Sequence, residues 1–361
     1  MAARKIRFFG ITSRVLMLIV AALLALSYLS IVINPAKIWM VSLSGIFFVP
    51  LMTLNLLLLL WAFKRKSRSF VIPLLAFLPS FFFIGRYVQF NSDETLAQPV
   101  SDNTVRVMTW NVGRFAMHDD EAGIATRKNC IDSIFTHIRK HDPDIICLQE
   151  FHVKDARNVK EYLKRHFREY NAEYYLFTES GGSSGNVTLS RFPVKGKGKI
   201  KFEESANLAI YTDYDVNGRS FRMYNCHFES YNISLTGLVK ALANRDSTVV
   251  AETGTKVKRS ITRRPKQVDQ VFSDIENCPV ESFVCGDFND NPMSYTYYRM
   301  TRGRKDAFVE AGYGMGATYA LLWPMLRIDY VLYPDHYRAV YHDIPKLPFS
   351  DHYPVITEIE L

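Results

Sequence analysis

Eight polar residues stand at the ends of short apolar runs, and their types are those that bind a hard cation or hold and move a proton. Asn111 follows VRVMTW, Glu150 closes DIICLQE, His227 follows RMYNC, and Asp287 and Asn289 follow FVCG. Asp329 interrupts RIDYVLY, and Asp351 and His352 lie in PFSDHYP, just before the last apolar run. Carboxylate and carboxamide oxygens suit a cation such as Mg²⁺. An imidazole beside a carboxylate is fixed in one orientation and favoured in its charged form. Taken singly, each residue has an ordinary explanation: a turn Asn, a capping Asp, a satisfied core His. Their joint occurrence at strand ends, in this order, points to one site on one edge of a β-sandwich.

The elements that must position them alternate. Short β-branched and aromatic runs at 105–110, 144–150, 187–192, 208–216, 220–228, 282–288, 327–333 and 353–361 read as strands. Helical patterns fall at 127–142, 159–170 and 265–277, the last with Pro265 as its first helical residue. Strands outnumber helices, so sheets packed on each other with helices outside are expected. Because neighbouring residues on a strand face opposite ways, Asp351 is a poor partner for His352 despite being next to it.

MTWNVGRF, DIICLQE, YNCHFES, CGDFND, RIDYVLY and SDHYP together resemble the ordered motif set of the endonuclease/exonuclease/phosphatase superfamily, over residues 104–361. The resemblance implies a four-layer α/β sandwich, two packed mixed β-sheets flanked by helices, that performs Mg²⁺-dependent phosphoester hydrolysis, with Mn²⁺ as the alternative ion. It implies Glu150, Asn111 and Asp351 on the metal side. His227, Asp287, Asn289, Asp329 and His352 would be catalytic: Asp329 behind His352, Asp287 orienting or deprotonating water, His227 and Asn289 donating N–H groups to developing charge. Either Asp287 or His352 would be the base. One departure is Gly113, where several DNA-processing members carry a second acid. ESGGSSGNVTLSRFP (179–193) is similar to the family's segment containing LSR and Pro, whereas GYGMGATY (312–319) lacks GxGxxG spacing and excludes a nucleotide-binding fold.

Residues 1–90 are of another kind, with ten Lys and Arg and no Asp or Glu. The uncharged stretches 15–33 and 38–63 are long enough to span a bilayer, and 70–85 is a shorter third with two prolines. A cleaved signal peptide is the alternative for the first, but its apolar run exceeds the usual signal core. Cations at 4–14 and in KRKSR (64–68), against the single Lys37 between the first two stretches, place the N-terminus and the 64–68 loop in the cytoplasm. Three crossings then put the catalytic domain outside the cytoplasm, on the periplasmic side in a bacterium; if 70–85 only lies in the interface, the domain is cytoplasmic. A polar linker at 91–103 follows.

The net charge of +8 belongs to that anchor, since residues 91–361 hold 34 basic and 36 acidic residues. A domain without a broad basic surface favours a lipid headgroup or small phosphodiester over nucleic acid as substrate. The alternatives are a nuclease acting outside the cytoplasm and an inactive domain that only binds. The bilayer is the expected partner, and KVKRSITRRPK (256–266) reads as a solvated loop leading into a helix or as a phosphate or anionic-lipid contact. Of five cysteines, Cys147, Cys226 and Cys285 read as buried thiols, and spacing leaves a Cys130–Cys278 bridge open.

Overall fold

Runs rich in Val, Ile, Tyr and Phe form strands, and the longer apolar or amphipathic stretches form helices. In the computed structural model, residues 2–91, 103–117, 126–231, 235–322 and 324–361 are described. In chain order the elements begin with helices α1 (Ala2–Leu29), α2 (Trp39–Ile46), α3 (Phe48–Lys64) and α4 (Val71–Phe77). Next come β1 (Val88–Phe90), β2 (Thr104–Asn111), α5 (Arg127–His141), β3 (Ile145–Val153) and α6 (Val159–His166). Strands β4 (Asn171–Glu179), β5 (Gly182–Ser190), β6 (Gly196–Lys201), β7 (Leu208–Val216) and β8 (Arg219–His227) follow, then α7 (Leu235–Ala243) and α8 (Ser247–Glu276). The chain continues through β9 (Glu281–Asp287), α9 (Tyr295–Met300), β10 (Arg304–Asp306), α10 (Ala307–Ala311) and β11 (Tyr313–Met315). It finishes with β12 (Asp329–Pro334), β13 (Arg338–Asp343) and β14 (Val355–Glu360).

Two units are distinguished. Residues Met1–Gly85, Ile233–Pro265 and Asp290–Tyr298 form one, and Arg86–Asn232, Lys266–Asn289 and Arg299–Leu361 the other.

The first unit is helical. Within α1, Ile11–Leu29 is a 19-residue stretch apolar enough to cross a membrane. The stretch expected as one helix over 38–63 is instead two, α2 and α3, meeting at 63°. The stretch at 70–85 is also not one helix: α4 is flanked by 3₁₀ turns at Arg68–Phe70 and Leu78–Phe82. Proline supplies the reason, since Pro79 has no N–H to continue the helical ladder. Buried Asn55 donates to Pro73 O at 2.8 Å and Tyr28 to Ala76 O at 2.8 Å, while Asn55 Oδ1 and Ser42 Oγ are buried without a partner. Pro265 does not begin a helix as expected but lies inside α8. Buried Ile261, Arg264, Val268, Val271, Phe272 and Ile275 recur at helical spacing, so packing of that stripe outweighs one lost backbone bond. Arg264, expected among solvated cations, is 2% exposed and pairs with Asp290 at 3.1 Å.

The second unit carries two six-stranded mixed sheets, ordered β13-β14-β2-β3-β5-β4 and β10-β12-β9-β8-β7-β6. Each has one parallel pair at its centre, β2 with β3 and β8 with β9. Period-two alternation sorts the faces. Val105, Val107, Ile145 and Cys147 pack with Phe221, Met223, Phe283 and Val331 in the cluster between the sheets. Met108, Trp110, Ile146 and Leu148 point the other way, onto Ile134, Phe135 and Ile138 of α5.

An amide network crosses the interior. Gln149 Nε2 donates to Asn225 Oδ1 at 2.8 Å, Asn225 Nδ2 to Val187 O at 3.0 Å, and Asn186 Nδ2 to Asn225 O at 3.0 Å. All five thiols are free, and Cys130 donates to Phe349 O at 3.1 Å. The linker expected at 91–103 lies almost wholly outside the described residues.

Candidate active site

The site stands at the carboxyl ends of the two central parallel pairs. Asn111 ends β2, and its Nδ2 donates to Asp287 Oδ2 at 3.0 Å and to Glu150 Oε1 at 3.4 Å, while its Oδ1 accepts from Gly113 N at 3.0 Å. Glu150 is presented by an irregularity in β3: pairing with β5 shifts between Leu148 and Phe151, and Glu150 takes a left-handed φ of 51°. A bulge of this kind re-aims a side chain. It sends Gln149 into the interior and Glu150 into the site. Burial raises the Glu150 pKa, partly offset by the charge of His352 and the bond from Asn111.

His227 ends β8 in register with Asp287 at the end of β9, which is in register with Asp329 at the start of β12. Asp287 Oδ1 accepts from Asn289 N at 2.8 Å, and its Oδ2 accepts from Asn289 Nδ2 at 3.0 Å. Burial pushes the Asp287 carboxyl up to about 6, against the lowering effect of His352 and with the raising effect of Asp329. Gly286 makes the turn into the site: its φ is +127°, and a Cβ there would lie 2.0 Å from Cys226 O. His227 Nε2 is 3.8 Å from Glu150 Oε1 and 3.7 Å from Asp287 Oδ2. That nitrogen is buried without a hydrogen-bond partner, and burial lowers the His227 pKa, which keeps the ring neutral.

His352 is gripped from several sides. Its Nδ1 is 2.9 Å from Asp329 Oδ2, and its Nε2 is 3.8 Å from Asp287 Oδ2. Burial alone would lower the imidazole pKa, but Asp329, then Asp287, push it up to about 10. Its backbone is held as well: Trp110 Nε1 donates to His352 O at 2.9 Å, and His352 N donates to Ser350 Oγ at 3.2 Å. Ser350 Oγ in turn donates to Asn111 O at 2.7 Å. Asp351 is exposed and turned toward Gly113, where a Cβ would meet its Oδ1 at 3.1 Å.

Asn111, Glu150, His227, Asp287, Asn289, Asp329 and His352 are thus connected by these contacts, with Asp351 on the Gly113 side. Asn289 differs from expectation. Both its amide hydrogens are already placed, on Asp287 Oδ2 and on Phe228 O at 3.0 Å, so it orients Asp287 rather than facing outward.

Asp287, Asp329 and His352 also lie close enough together to be considered as a cation site. The geometry there is better satisfied without an ion, because the imidazole already bonds Asp329 and its positive charge offsets the carboxylates. Glu150, Asn111 Oδ1 and Asp351 carry the oxygen types that suit a hard divalent cation, and a cation beside Glu150 would act against the burial that raises its pKa.

One cation escaped the sequence reading. Arg114 has its Nε 3.6 Å from Glu150 Oε2 and its Nη1 3.0 Å from Glu179 Oε2. Its place directly after Gly113 in WNVGR was the available signal. A pocket of about 390 Å³ opens here, lined by Arg114, Glu150, Glu179, Asn207, His227 and Glu229, with serines and small residues completing it.

The profile of the endonuclease/exonuclease/phosphatase family matches residues 108–352, a span that includes every residue of this site. The chain belongs to that family. Its members are generally hydrolases of phosphoester bonds that use divalent metal ions. A second profile, of a domain of unknown function, matches residues 7–87. No curated protein matches the chain. Among solved structures, an endonuclease/exonuclease/phosphatase from Beutenbergia cavernae is 20% identical, covering 72% of each chain, with a TM-score of 0.52. The human Nocturnin catalytic domain with bound sulfate is 17% identical, covering 73% of this chain and 95% of its own, with a TM-score of 0.53. A humanized D. rerio TDP2 is 16% identical, covering 72% of this chain and all of its own, with a TM-score of 0.51. At these identities the likeness is one of fold.

Proposed function

We propose that this family member is a membrane-anchored, Mg²⁺-dependent phosphoesterase that hydrolyses a lipid headgroup ester or small phosphodiester by in-line attack of water. The observation that carries the reading is His352, fixed by Asp329 at 2.9 Å and facing Asp287 across 3.8 Å, beside the Glu150 carboxylate. A cationic imidazole at neutral pH is a proton donor and charge stabiliser, not a base. The base is then Asp287, ionised above about 6 and oriented by Asn111 and Asn289. His352 and a neutral His227, through N–H, stabilise charge on the phosphate oxygens. Glu150, Asn111 and Asp351 would hold Mg²⁺ or Mn²⁺, which would supply neutralisation of the phosphate charge.

The pocket beside Glu150 supports a small polar group as the substrate's remaining part. Its lining has three carboxylates against the single cation of Arg114 and no Phe, Tyr or Trp among the described residues, whereas a nucleic acid strand is held by stacking platforms and a basic groove.

The anchor reading rests on α1, with the bent α2–α3 pair as a second crossing. The apolar stretch 70–85 is the candidate third crossing, built as α4 flanked by 3₁₀ turns. With a third crossing there the catalytic unit would lie outside the cytoplasm, and with that stretch only in the interface it would be cytoplasmic.

The test is hydrolysis by the full chain in detergent of bis-p-nitrophenyl phosphate, sphingomyelin, inositol phosphates and plasmid DNA, with Mg²⁺ and with EDTA. Turnover that persists in EDTA, or in both Glu150→Ala and His352→Ala, refutes the mechanism; plasmid DNA as the best substrate refutes the substrate class. A C-terminal reporter active only in the cytoplasm refutes the orientation.

A further inference from the structure

Strands β1 and β11 form a two-stranded ribbon apart from both large sheets. Val88 pairs with Met315 and Phe90 with Tyr313, with Gln89 and Gly314 between them. Directly opposed residues share a face and alternate residues return to it. One face therefore presents Val88, Phe90, Tyr313 and Met315, and the other Gln89 and Gly314. That first face is open: Phe90 is 86% exposed, Tyr313 57% and Met315 46%.

Such a ribbon has little stability of its own in water. It is held from behind by polar bonds. Asn91 Nδ2 donates to Gly312 O at 2.9 Å and to Glu310 O at 3.2 Å, and Gly316 N donates to Tyr87 O at 2.9 Å. Arg327, buried and paired with Asp306 at 2.7 Å, donates through Nε to Arg86 O at 2.9 Å. These bonds fix the backbone with its aromatic face outward, an arrangement that marks a contact surface.

The chain itself indicates what covers it. Val88 lies three residues beyond Gly85, so it is at most about 10 Å from the end of the apolar N-terminal segment. Before it, Leu75, Phe81 and Phe82 are 62%, 65% and 84% exposed, and residues 1–90 contain no acid. Phe, Tyr and Met on a short rigid element at the end of an apolar segment match the chemistry of the bilayer interface, where aromatic rings settle at headgroup depth. We propose that the Val88, Phe90, Tyr313 and Met315 face of this ribbon rests in the interfacial layer of a lipid bilayer, a second membrane contact made by the catalytic unit. The proposal rests on the reading of the N-terminal segment as membrane-embedded.

The test uses the full chain in phosphatidylcholine–phosphatidylglycerol liposomes, with a benzoylphenylalanine photocrosslinker placed singly at Phe90, Tyr313, Leu26 or Tyr174. Leu26 on α1 reports the anchor, and Tyr174 on β4 is the exposed control. Irradiation is expected to add one lipid mass at Phe90, Tyr313 and Leu26 and none at Tyr174. Lipid adducts at Leu26 without any at Phe90 or Tyr313 overturn this inference and leave the anchor standing. No adduct at Leu26 refutes the anchor and the inference with it. Crosslinks from Phe90 to a second copy of the chain overturn it in favour of self-association.

Discussion

Replacing Asp329 by Asn tests the arrangement most directly, because the amide keeps the shape of the side chain and removes only its charge. Asp329 is 2% exposed, and its carboxylate is the largest of the influences that raise the His352 pKa to about 10. Removing one partner of a buried ion pair costs about 3–5 kcal/mol. The amide oxygen can still accept one neutral hydrogen bond worth about 1 kcal/mol. About 2–4 kcal/mol of support for the imidazolium is then lost, which at about 1.36 kcal/mol per decade lowers kcat about 30- to 1,000-fold. His352 also releases its proton at lower pH, so the alkaline limb of the kcat/KM profile moves acid by about one unit or more. The fold bears part of the same cost, so rates are compared below the lowered melting temperature. The loss is tempered because the Asp329 charge raises the Asp287 pKa, a repulsion the amide removes, and the backbone bond from Asp329 N to Thr318 Oγ1 at 3.1 Å is untouched. Steady-state rates on bis-p-nitrophenyl phosphate between pH 6 and 10, with a thermal melt as control, are the assay. A kcat within about threefold of the parent and an unmoved alkaline limb would refute the assignment of Asp329 as the partner that sustains His352.

Other outcomes follow from the same geometry. Glu150→Gln is expected to abolish the melting-temperature rise on adding Mg²⁺, a rise that corresponds to about 2.7 kcal/mol at a hundredfold excess over Kd; a rise equal to the parent's contradicts Glu150 as a ligand. Gly286→Ala places a Cβ 2.0 Å from Cys226 O at a φ of +127°, and should cost about 2–5 kcal/mol in urea denaturation. His342 is buried with Nδ1 2.9 Å from Thr357 Oγ1, and burial holds its pKa down to about 3. The unfolded chain takes up that proton below about 6.5 while the fold does not, so the contribution is whole above about 6.5. It falls by about 1.4 kcal/mol per pH unit down to about 3. His342→Gln should flatten that slope in urea melts at pH 4–7, and an unchanged slope would show that another group sets the acid limit.

The strands and the residues at their ends were legible because a strand's period is two and its end is marked by a change to polar residues. What the sequence left open depended on distant partners. Strand alternation argues against Asp351 as the companion of His352, but nothing local names Asp329, which only the strand β12 brings within 2.9 Å. Arg114 was overlooked because an arginine in a turn is ordinary until Glu179, 65 residues away, fixes it over Glu150. Pro265 misled because its local penalty is read at once, while the buried stripe that overrides it emerges only after packing. The helix break at Phe47 did have a signal in Pro50, which has no N–H to bond Ile46 O four residues back.

The parallel pair at the centre of each sheet divides the site into two holdings. Asn111 and Glu150 leave one pair, His227 and Asp287 the other; Asp329 starts the neighbouring β12 and His352 stands just before the neighbouring β14. Neither sheet owns a working set. Sliding one sheet along the other by an ångström would leave every strand ladder intact and still separate His352 from Asp329. Turnover is therefore a ruler laid across the sandwich. It will register interior substitutions, at Gln149 or Asn225 for instance, beyond the stability loss that their broken hydrogen bonds bring to a melting curve.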